Sequence, residues 1–266
     1  MTGGGVHLVV LDGGTLEGMD PARFGLTAAE VPTDRMSVPA YVVLHPRGVL
    51  IWDTGCVPDA AWQPGAGPVL HEIQLAGGQR RRVTLHRGLG DQLDSIGLAP
   101  ADVTHLALSH HHYDHTGNAN LFASATWLVP PAERAAMFAR TPPNLTQPAD
   151  YALLRDAPTA SIEDDEVDVF GDGAVRIRAA PGHTPGHQVL RLRLLSGRIL
   201  VLSGDLYHYR QERELDRVPS FEFDPVMTRA SRRSILRSVE REGAELWIQH
   251  DWSENEGRAR APVEHR

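Results

Sequence analysis

The N-terminal half of the chain alternates short apolar runs with glycine, proline and aspartate. Apolar side chains at helical intervals predict a helix over 89–97, with Gly97 suited to its C-cap. Pro131 begins a second predicted helix, over 131–139. The β-branched and leucine-rich runs of four to eight residues predict strands at 6–11, 40–45, 49–53 and 104–108.

The second half repeats this alternation. A helix is predicted over 225–242, with Asp224 as N-cap and Pro225 at its first position. The acidic run 163–168 and the proline-rich run 141–148 are predicted to be loops. Strands are predicted at 166–170, 174–179, 189–195, 198–203 and 245–249, with a hairpin turn at 196–198. Two strand-rich halves, each with helices, predict an α/β protein in which residues 1–266 form a single domain of two packed sheets with helices outside.

The charge and the apolar pattern of the chain disfavour several classes of function. The formal charge of −8 disfavours a nucleic-acid-binding surface. No apolar run approaches the ~18–20 residues that cross a bilayer, and the N-terminus lacks the positive segment of a signal peptide. We therefore expect a cytoplasmic protein that binds neither nucleic acid nor membrane.

The nucleophiles that the chain lacks are equally informative. All 26 basic residues are arginines, so a Schiff-base lysine and a P-loop lysine are both excluded. The single cysteine, Cys56, excludes an internal disulfide framework and a cysteine-rich zinc module. There is also no G-x-S-x-G motif. The chemistry is therefore expected to proceed without a conventional side-chain nucleophile.

One stretch, LALSHHHYDHTGN at 106–118, concentrates candidate metal ligands. The chain has only 14 histidines, yet four of them lie within six positions here. The spacing is His110-x-His112-x-Asp114-His115, directly after the predicted strand 104–108. Hydrolytic zinc sites use imidazole and carboxylate ligands. In a loop of this kind, the first two histidines project to one side while Asp114 and His115 turn toward a second point, which predicts two adjacent pockets.

Later strand ends supply further candidates of the same types. His183 and His187 follow strand 174–179, Asp205 follows strand 198–203, and His250 follows strand 245–249. Sheet proteins collect functional residues where strands end. The recurrence of these residue types at strand ends predicts a dinuclear metal site.

These motifs resemble the metallo-β-lactamase superfamily and, within it, the N-acyl-homoserine lactonase group. The resemblance spans nearly the whole chain and rests on VLIWDTG (49–55), SHHHYDHTGN (109–118), PGHTPGHQ (181–188), LSGDLY (202–207) and IQHD (248–251). It implies an αββα sandwich with two Zn²⁺ ions at the sheet edges, although the same ligand types also suit iron, cobalt or manganese. Homodimers occur in the resembled family.

The resemblance also implies a role for each motif residue. Asp205 would bridge the two metals, Asp53 would support the metal loop, and His111 and His187 match positions that are usually not ligands. The ligands of one metal would be His110, His112 and His183, and those of the other Asp114, His115 and His250.

Two adjacent divalent ions would lower the pKa of a shared water and so supply the missing nucleophile. Asp114 could then pass a proton to the departing alkoxide. Asp205 argues against the typical β-lactamases of this fold, and only 16 residues follow His250, too few for the helical segment of hydroxyacylglutathione hydrolases. The leading hypothesis is a lactonase that opens N-acyl-homoserine lactones and so quenches quorum sensing. The alternatives are hydrolysis of another lactone, ester or phosphotriester, and a non-catalytic zinc-binding protein.

The chain departs from the resembled group at one position. Lactonases of that group usually place a tyrosine three residues after the bridging aspartate, where it binds the substrate carbonyl. Here that position is His208, which lies between Tyr207 and Tyr209. Either His208 takes over this catalytic role or Tyr207 reaches the substrate from a shifted loop.

Overall fold

The computed structural model describes residues 4–63, 65 and 67–266. Its first sheet contains nine strands, of which eight follow one another in the chain. They are β1 (His7–Glu17), β2 (Met36–His45), β3 (Gly48–Trp52), β4 (Val69–Gln74), β5 (Arg80–Leu85), β6 (His105–Ala107), β7 (Thr126–Val129) and β8 (Thr159–Ser161). In the sheet their order is β4-β5-β1-β2-β3-β6-β7-β8, and the pairings from β3 to β8 are parallel.

The second sheet has the order β13-β12-β11-β10-β9. Its strands are β9 (Glu166–Asp168), β10 (Val175–Ala179), β11 (Gln188–Arg193), β12 (Ile199–Leu202) and β13 (Glu245–Trp247). The last strand of the chain, β14 (Glu264–His265), returns to pair with β1 in the first sheet. The α-helices are α1 (Leu89–Asp94), α2 (Tyr113–Thr116), α3 (Pro131–Met137), α4 (Arg210–Glu214), α5 (Pro225–Glu242) and α6 (Trp252–Asn255).

The alternation of side chains along β1 shows how the layers are held together. Leu8 and Val10 face the second sheet, where they belong to a core cluster that includes Leu190 and Leu202. The intervening Val9 lies in a separate cluster that includes side chains of α1 and α3. Successive strand residues point to opposite faces, so both faces of the first sheet are buried. On the far side of the second sheet, α5 packs against β11 and β12. The layers are helix, sheet, sheet, helix, which confirms the predicted αββα sandwich.

Helix α5 follows its sequence signals closely. The Asp224 carboxylate accepts hydrogen bonds from the backbone N–H groups of Val226 and Met227, both at 2.9 Å. Pro225 begins the helix, and Gly243 ends it in the left-handed region at φ 60°. The predicted bounds, 225–242, are those observed.

Other predictions were wrong in part. The acidic run 163–168 is not a loop throughout, because Glu166–Asp168 pairs with β10 as an edge strand. The helix predicted over 89–97 ends at Asp94. The hairpin of β4 and β5 was missed, as was the short central strand β7. Within the described residues, no helix is long and apolar enough to cross a membrane.

Candidate metal centre

The local backbone around His112 separates the candidate ligands into two sets. Strand β6 ends at Ala107, and an irregular segment with bends at Ser109 and His111 leads to His112, the N-cap residue of α2, whose backbone is extended (φ −65°, ψ 154°). Asp114 and His115 then lie in the first turn of that helix. The change from extended to helical backbone turns them toward a different point from His110 and His112.

Long-range contacts complete both sets. In each set, one ligand atom per residue lies within 4.8 Å of all the others, and every member is buried. The first cluster is His110, His112, His183 and Asp205, and the second cluster is Asp114, His115 and His250. The fold therefore brings together, in two neighbouring groups, all seven residues that were candidate ligands.

In the first cluster, one imidazole nitrogen lies at hydrogen-bond distance from two others and cannot form a hydrogen bond with both. Both His110 Nε2 and His183 Nε2 lie close to His112 Nδ1, at 2.9 Å and 3.0 Å. A neutral imidazole has one donor and one acceptor nitrogen, so a single proton on His112 cannot satisfy both contacts. A cation that receives lone pairs from all three nitrogens satisfies them together, and the donor set therefore fits a metal.

Asp205 reaches both clusters with different oxygen atoms. Its Oδ1 lies 3.1 Å from His115 Nε2 and 3.0 Å from His250 Nε2, in the second cluster. Its Oδ2 lies 3.2 Å from His183 Nε2, in the first cluster. One carboxylate placed between two groups of imidazoles suits a pair of cations.

Tight backbone packing fixes the position of Asp205. The preceding Gly204 has φ 50°, and a Cβ there would lie 2.7 Å from His187 Nε2 and 2.8 Å from Ser109 Cβ. His187 donates from Nδ1 to the Ala180 carbonyl at 2.9 Å and accepts the Asp205 backbone N–H at Nε2, also at 2.9 Å. Burial, followed by the charge of His183, lowers the pKa of His187 to about 4. His187 is therefore a neutral residue that positions Asp205 and belongs to neither cluster.

Carboxylates outside the clusters orient two of the candidate ligands. Asp53 Oδ2 lies 2.9 Å from His115 Nδ1, and its Oδ1 accepts the Ser109 backbone N–H at 2.6 Å. Glu222 Oε1 lies 2.9 Å from His183 Nδ1. In each case the contact holds the ring so that Nε2 points into the cluster, the usual arrangement behind metal-bound imidazole. The sequence nominated Asp53 but missed Glu222, whose only signal is an acidic residue between two phenylalanines, in SFEFD.

Glu133 connects the loops that carry the first cluster. One carboxylate oxygen accepts the His111 backbone N–H at 2.8 Å and lies 2.6 Å from His111 Nδ1. The other accepts the Thr184 hydroxyl and the Gly186 backbone N–H, both at 2.8 Å. His111 thus ties the 109–112 loop to α3 and lies outside both clusters, as the resemblance implied.

The protonation preferences of the centre differ between residues. Burial first, and neighbouring imidazoles second, hold the pKa of His110 and of His112 well below the ordinary value. Burial also acts to lower the pKa of His183, but Glu222 and Asp205 outweigh it and raise that pKa to about 9. Because a metal binds deprotonated imidazole, His110 and His112 are ready to bind, whereas His183 must release a proton.

The structure separates the two candidates for the substrate contact. His208 Nε2 lies 3.1 Å from Asp205 Oδ2, and its Nδ1 lies 3.2 Å from Glu212 Oε1. Tyr207 instead lies in the core cluster beneath α5, with the Arg232 guanidinium 4.2 Å from its ring centre. Only His208 lines the cavity beside the two clusters. The shifted-loop alternative for Tyr207 therefore has no support in the geometry.

Residues of both clusters line one cavity that is partly open to solvent. His112, Asp114, Asp205, His208 and His250 are its chemically active lining. Most of the remaining lining is apolar or aromatic. It consists of Met19, Phe24, Met36, Leu145, Phe221 and Tyr113, together with the two arginines Arg23 and Arg81.

Comparison with known proteins places this site in a family. The profile of the metallo-beta-lactamase superfamily matches residues 33–250, which include both clusters. The chain belongs to this superfamily. Together with the buried His/Asp clusters, membership makes it a metal-dependent hydrolase.

Individual relatives share this architecture. The N-acyl homoserine lactonase AttM of Rhizobium johnstonii is 31% identical over 225 residues, covering 81% of this chain and 83% of that protein. AttM of Rhizobium radiobacter is 30% identical over 229 residues, covering 80% and 81%. A solved structure of an N-acyl homoserine lactone hydrolase, with its product N-hexanoyl-L-homoserine at the catalytic metal centre, superposes with a TM-score of 0.76 at 20% identity over the full length of both chains.

Proposed function

We propose that this metal-dependent hydrolase opens the lactone ring of N-acyl-homoserine lactones, and so degrades a quorum-sensing signal. The observation that carries the proposal is the position of Asp205, between two buried imidazole clusters at the end of a largely apolar cavity. Two relatives that are 30–31% identical to this chain are named as N-acyl homoserine lactonases. An apolar cavity that ends in polar groups also suits a substrate with an apolar acyl chain and a polar ring.

The proposed cofactor is a pair of zinc ions. His110, His112 and His183 would hold one ion, Asp114, His115 and His250 the other, and Asp205 both. When bound, such ions supply an activated water and polarise the carbonyl that it attacks. Nitrogen and oxygen ligands suit zinc, but they also suit iron, cobalt and manganese.

The residues that line the cavity have separate proposed roles. His208 donates a hydrogen bond to the substrate carbonyl, where negative charge develops during attack. Glu212 holds the His208 ring, and Arg232 contacts the other oxygen of Glu212 at 2.7 Å. Asp114, which lines the cavity, takes up the proton that the attacking water loses and transfers it to the ring oxygen as the C–O bond of the lactone breaks. All of these groups are buried, which excludes competing water.

A second function is hydrolysis of another lactone, an ester or a phosphotriester by the same centre. The observation that favours it is His208, because an imidazole stands where the lactonase group usually has a tyrosine. Three expectations from the sequence stay predictions. They are that residues 1–266 form one domain, that the protein forms homodimers, and that it is cytoplasmic.

Metal analysis coupled to a pH-stat assay tests the proposal. We expect two divalent ions per chain, metal-dependent acid release from N-acyl-homoserine lactones, and loss of this activity after chelation. Brisk hydrolysis of another ester without opening of homoserine lactones would favour the second function.

A further inference from the structure

Besides His208, three polar side chains line the cavity without belonging to either metal cluster. Arg23 comes from the 3₁₀ helix Pro21–Phe24, Arg81 from β5 and Tyr113 from α2. These elements are far apart in the sequence, and the fold brings their side chains to one cavity. The same wall also contains five apolar side chains, namely Met19, Phe24, Met36, Leu145 and Phe221.

Neither arginine has a carboxylate partner among the residues that the structure describes. The Arg23 guanidinium lies over the ring of Phe221, 5.1 Å from its centre. Arg81 donates only to the carbonyl of Arg80, at 2.9 Å. The carboxylate of Asp20, the acidic residue nearest to Arg23 in sequence, caps the 3₁₀ helix by accepting the Ala22 N–H at 3.0 Å.

The positive charges of the two guanidinium groups repel each other. Burial first, and the charge of Arg81 second, lower the pKa of Arg23. Arginine in an apolar wall normally has an anionic partner, because a partly desolvated cation without one is unfavourable. A bound anion would relieve both the desolvation and the repulsion.

Tyr113 gives a second and independent indication of a ligand. Its side chain is only 3% exposed, and its hydroxyl has no hydrogen-bond partner in the described part of the chain. A buried tyrosine hydroxyl normally finds a partner. Tyr113 lines the same cavity as the two arginines. A ligand oxygen in that cavity would accept a hydrogen bond from its hydroxyl.

We propose that Arg23, Arg81 and Tyr113 form a subsite for a carboxylate on the acyl part of the substrate, so that the enzyme prefers acidic lactones or esters to neutral ones. A plain acyl chain would leave two cations and one hydroxyl unpaired, whereas a carboxylate is an acceptor for both guanidinium and hydroxyl donors. The substrate class rests on the proposed hydrolysis of a lactone or ester, but binding at the subsite can be measured without turnover.

The probes are a matched pair of ring-opened compounds, N-adipoyl-homoserine and N-hexanoyl-homoserine. They have acyl chains of equal length and differ by one terminal carboxylate. Calorimetry on the metal-loaded protein gives the two Kd values, and the corresponding lactones give two KM values. We expect the adipoyl compound to bind about tenfold or more tightly, as a charge-assisted hydrogen bond implies.

Arg23→Gln and Arg81→Gln should each remove most of this preference, and Tyr113→Phe should reduce it less. The matched control is Arg82→Gln, because Arg82 is an exposed neighbour on β5 that does not line the cavity. It should leave the ratio of the two Kd values unchanged. Thermal unfolding of each variant checks that the fold is intact.

Equal binding of the two compounds by the wild type would overturn the subsite, as would an equal loss of preference in Arg82→Gln. If the preference and its loss in the cavity variants are found but neither lactone is hydrolysed, the subsite is supported and the lactonase proposal fails. If both lactones are hydrolysed with equal KM and bound with equal Kd, the lactonase proposal stands and the subsite is rejected.

Discussion

The two metal clusters are braced from different parts of the fold. In the second cluster, the His115 ring contacts the carboxylate of Asp53, which directly follows β3. The same carboxylate accepts a hydrogen bond from Gln249 Nε2 at 2.8 Å. His250 is fixed through its Nδ1, which donates to the Ser37 carbonyl on β2 at 2.7 Å. These contacts all come from strands or strand ends of the two sheets.

The first cluster depends on segments outside the sheets. The His183 ring contacts the carboxylate of Glu222, which lies in the segment before α5. That carboxylate also accepts a hydrogen bond from the Thr228 hydroxyl at 2.5 Å. The loops that carry His110 and His183 are joined by Glu133 of α3. Strand ends are held by ladders of hydrogen bonds, whereas such segments open at lower free energy. We therefore expect the metal of the first cluster to dissociate first.

The largest effect is expected for Asp205→Ala, which removes the one residue common to both clusters. Loss of both cation sites would forfeit several kcal/mol of transition-state stabilisation, so kcat/KM should fall about a thousandfold or more. Metal content should fall with it. The control is Asp164→Ala, which removes an exposed carboxylate that belongs to neither cluster. This variant should keep both metals. Retention of two metals and full activity by Asp205→Ala would contradict the bridging role.

The next largest effect is expected for His208→Gln, which removes an imidazole that lines the cavity and belongs to neither cluster. We expect kcat to fall by about a hundredfold, as for the loss of one donor to a developing oxyanion. Metal content should stay at the wild-type value. Tyr207→Phe, which keeps the ring beneath Arg232, should change kcat little. Equal losses in the two variants would show that the loop as a whole, rather than His208, is responsible.

A matched pair, Asp53→Asn and Glu222→Gln, tests the comparison directly. Asparagine tolerates the left-handed backbone of Asp53, φ 59°, so the charge changes without strain. Each variant should weaken one of the two metals by about 10- to 100-fold. Titration with a chromophoric chelator should show two phases, of which each variant shifts a different one. If both variants shift the same phase, the clusters are not independently braced.

The smallest effect is expected for Asp150→Asn, at a carboxylate that has no imidazole partner. Burial alone raises the pKa of Asp150 to about 7. The folded pKa lies above the unfolded value, so the wild type loses stability as the pH rises between the two and carries the full penalty above pH 7. The variant should therefore be more stable at pH 8 by on the order of 1 kcal/mol, since the group is partly exposed, and the gain should vanish below about pH 4. Melting temperatures measured across this range check it, and a gain that does not change with pH would contradict the cause.

Much of the fold could be predicted from local signals. Helix α5 has a capping aspartate, a first-turn proline and a terminal glycine, and these fix its limits without tertiary contacts. Strand β7 was missed because TWLV is short and apolar, a pattern that a buried strand and a buried helix turn share. The strand predicted at 166–170 is observed as the shorter β9, whereas the overlapping loop prediction for 163–168 was wrong in part because Glu166 and Asp168 are charged and typical of a loop. Its pairing with β10 decides its conformation.

For the metal centre, the sequence by itself determined the residue types and their positions at strand ends, and the grouping of the candidate ligands was implied by the family resemblance. The change from extended chain to helix at His112 is local, so the division of the first motif into two pockets follows from sequence spacing. Only the tertiary structure decided which partners hold these ligands, that His208 rather than Tyr207 faces the cavity, and that Arg23, Arg81 and Tyr113 share its wall. Those contacts join segments far apart in the chain, and no local pattern encodes the distance between them.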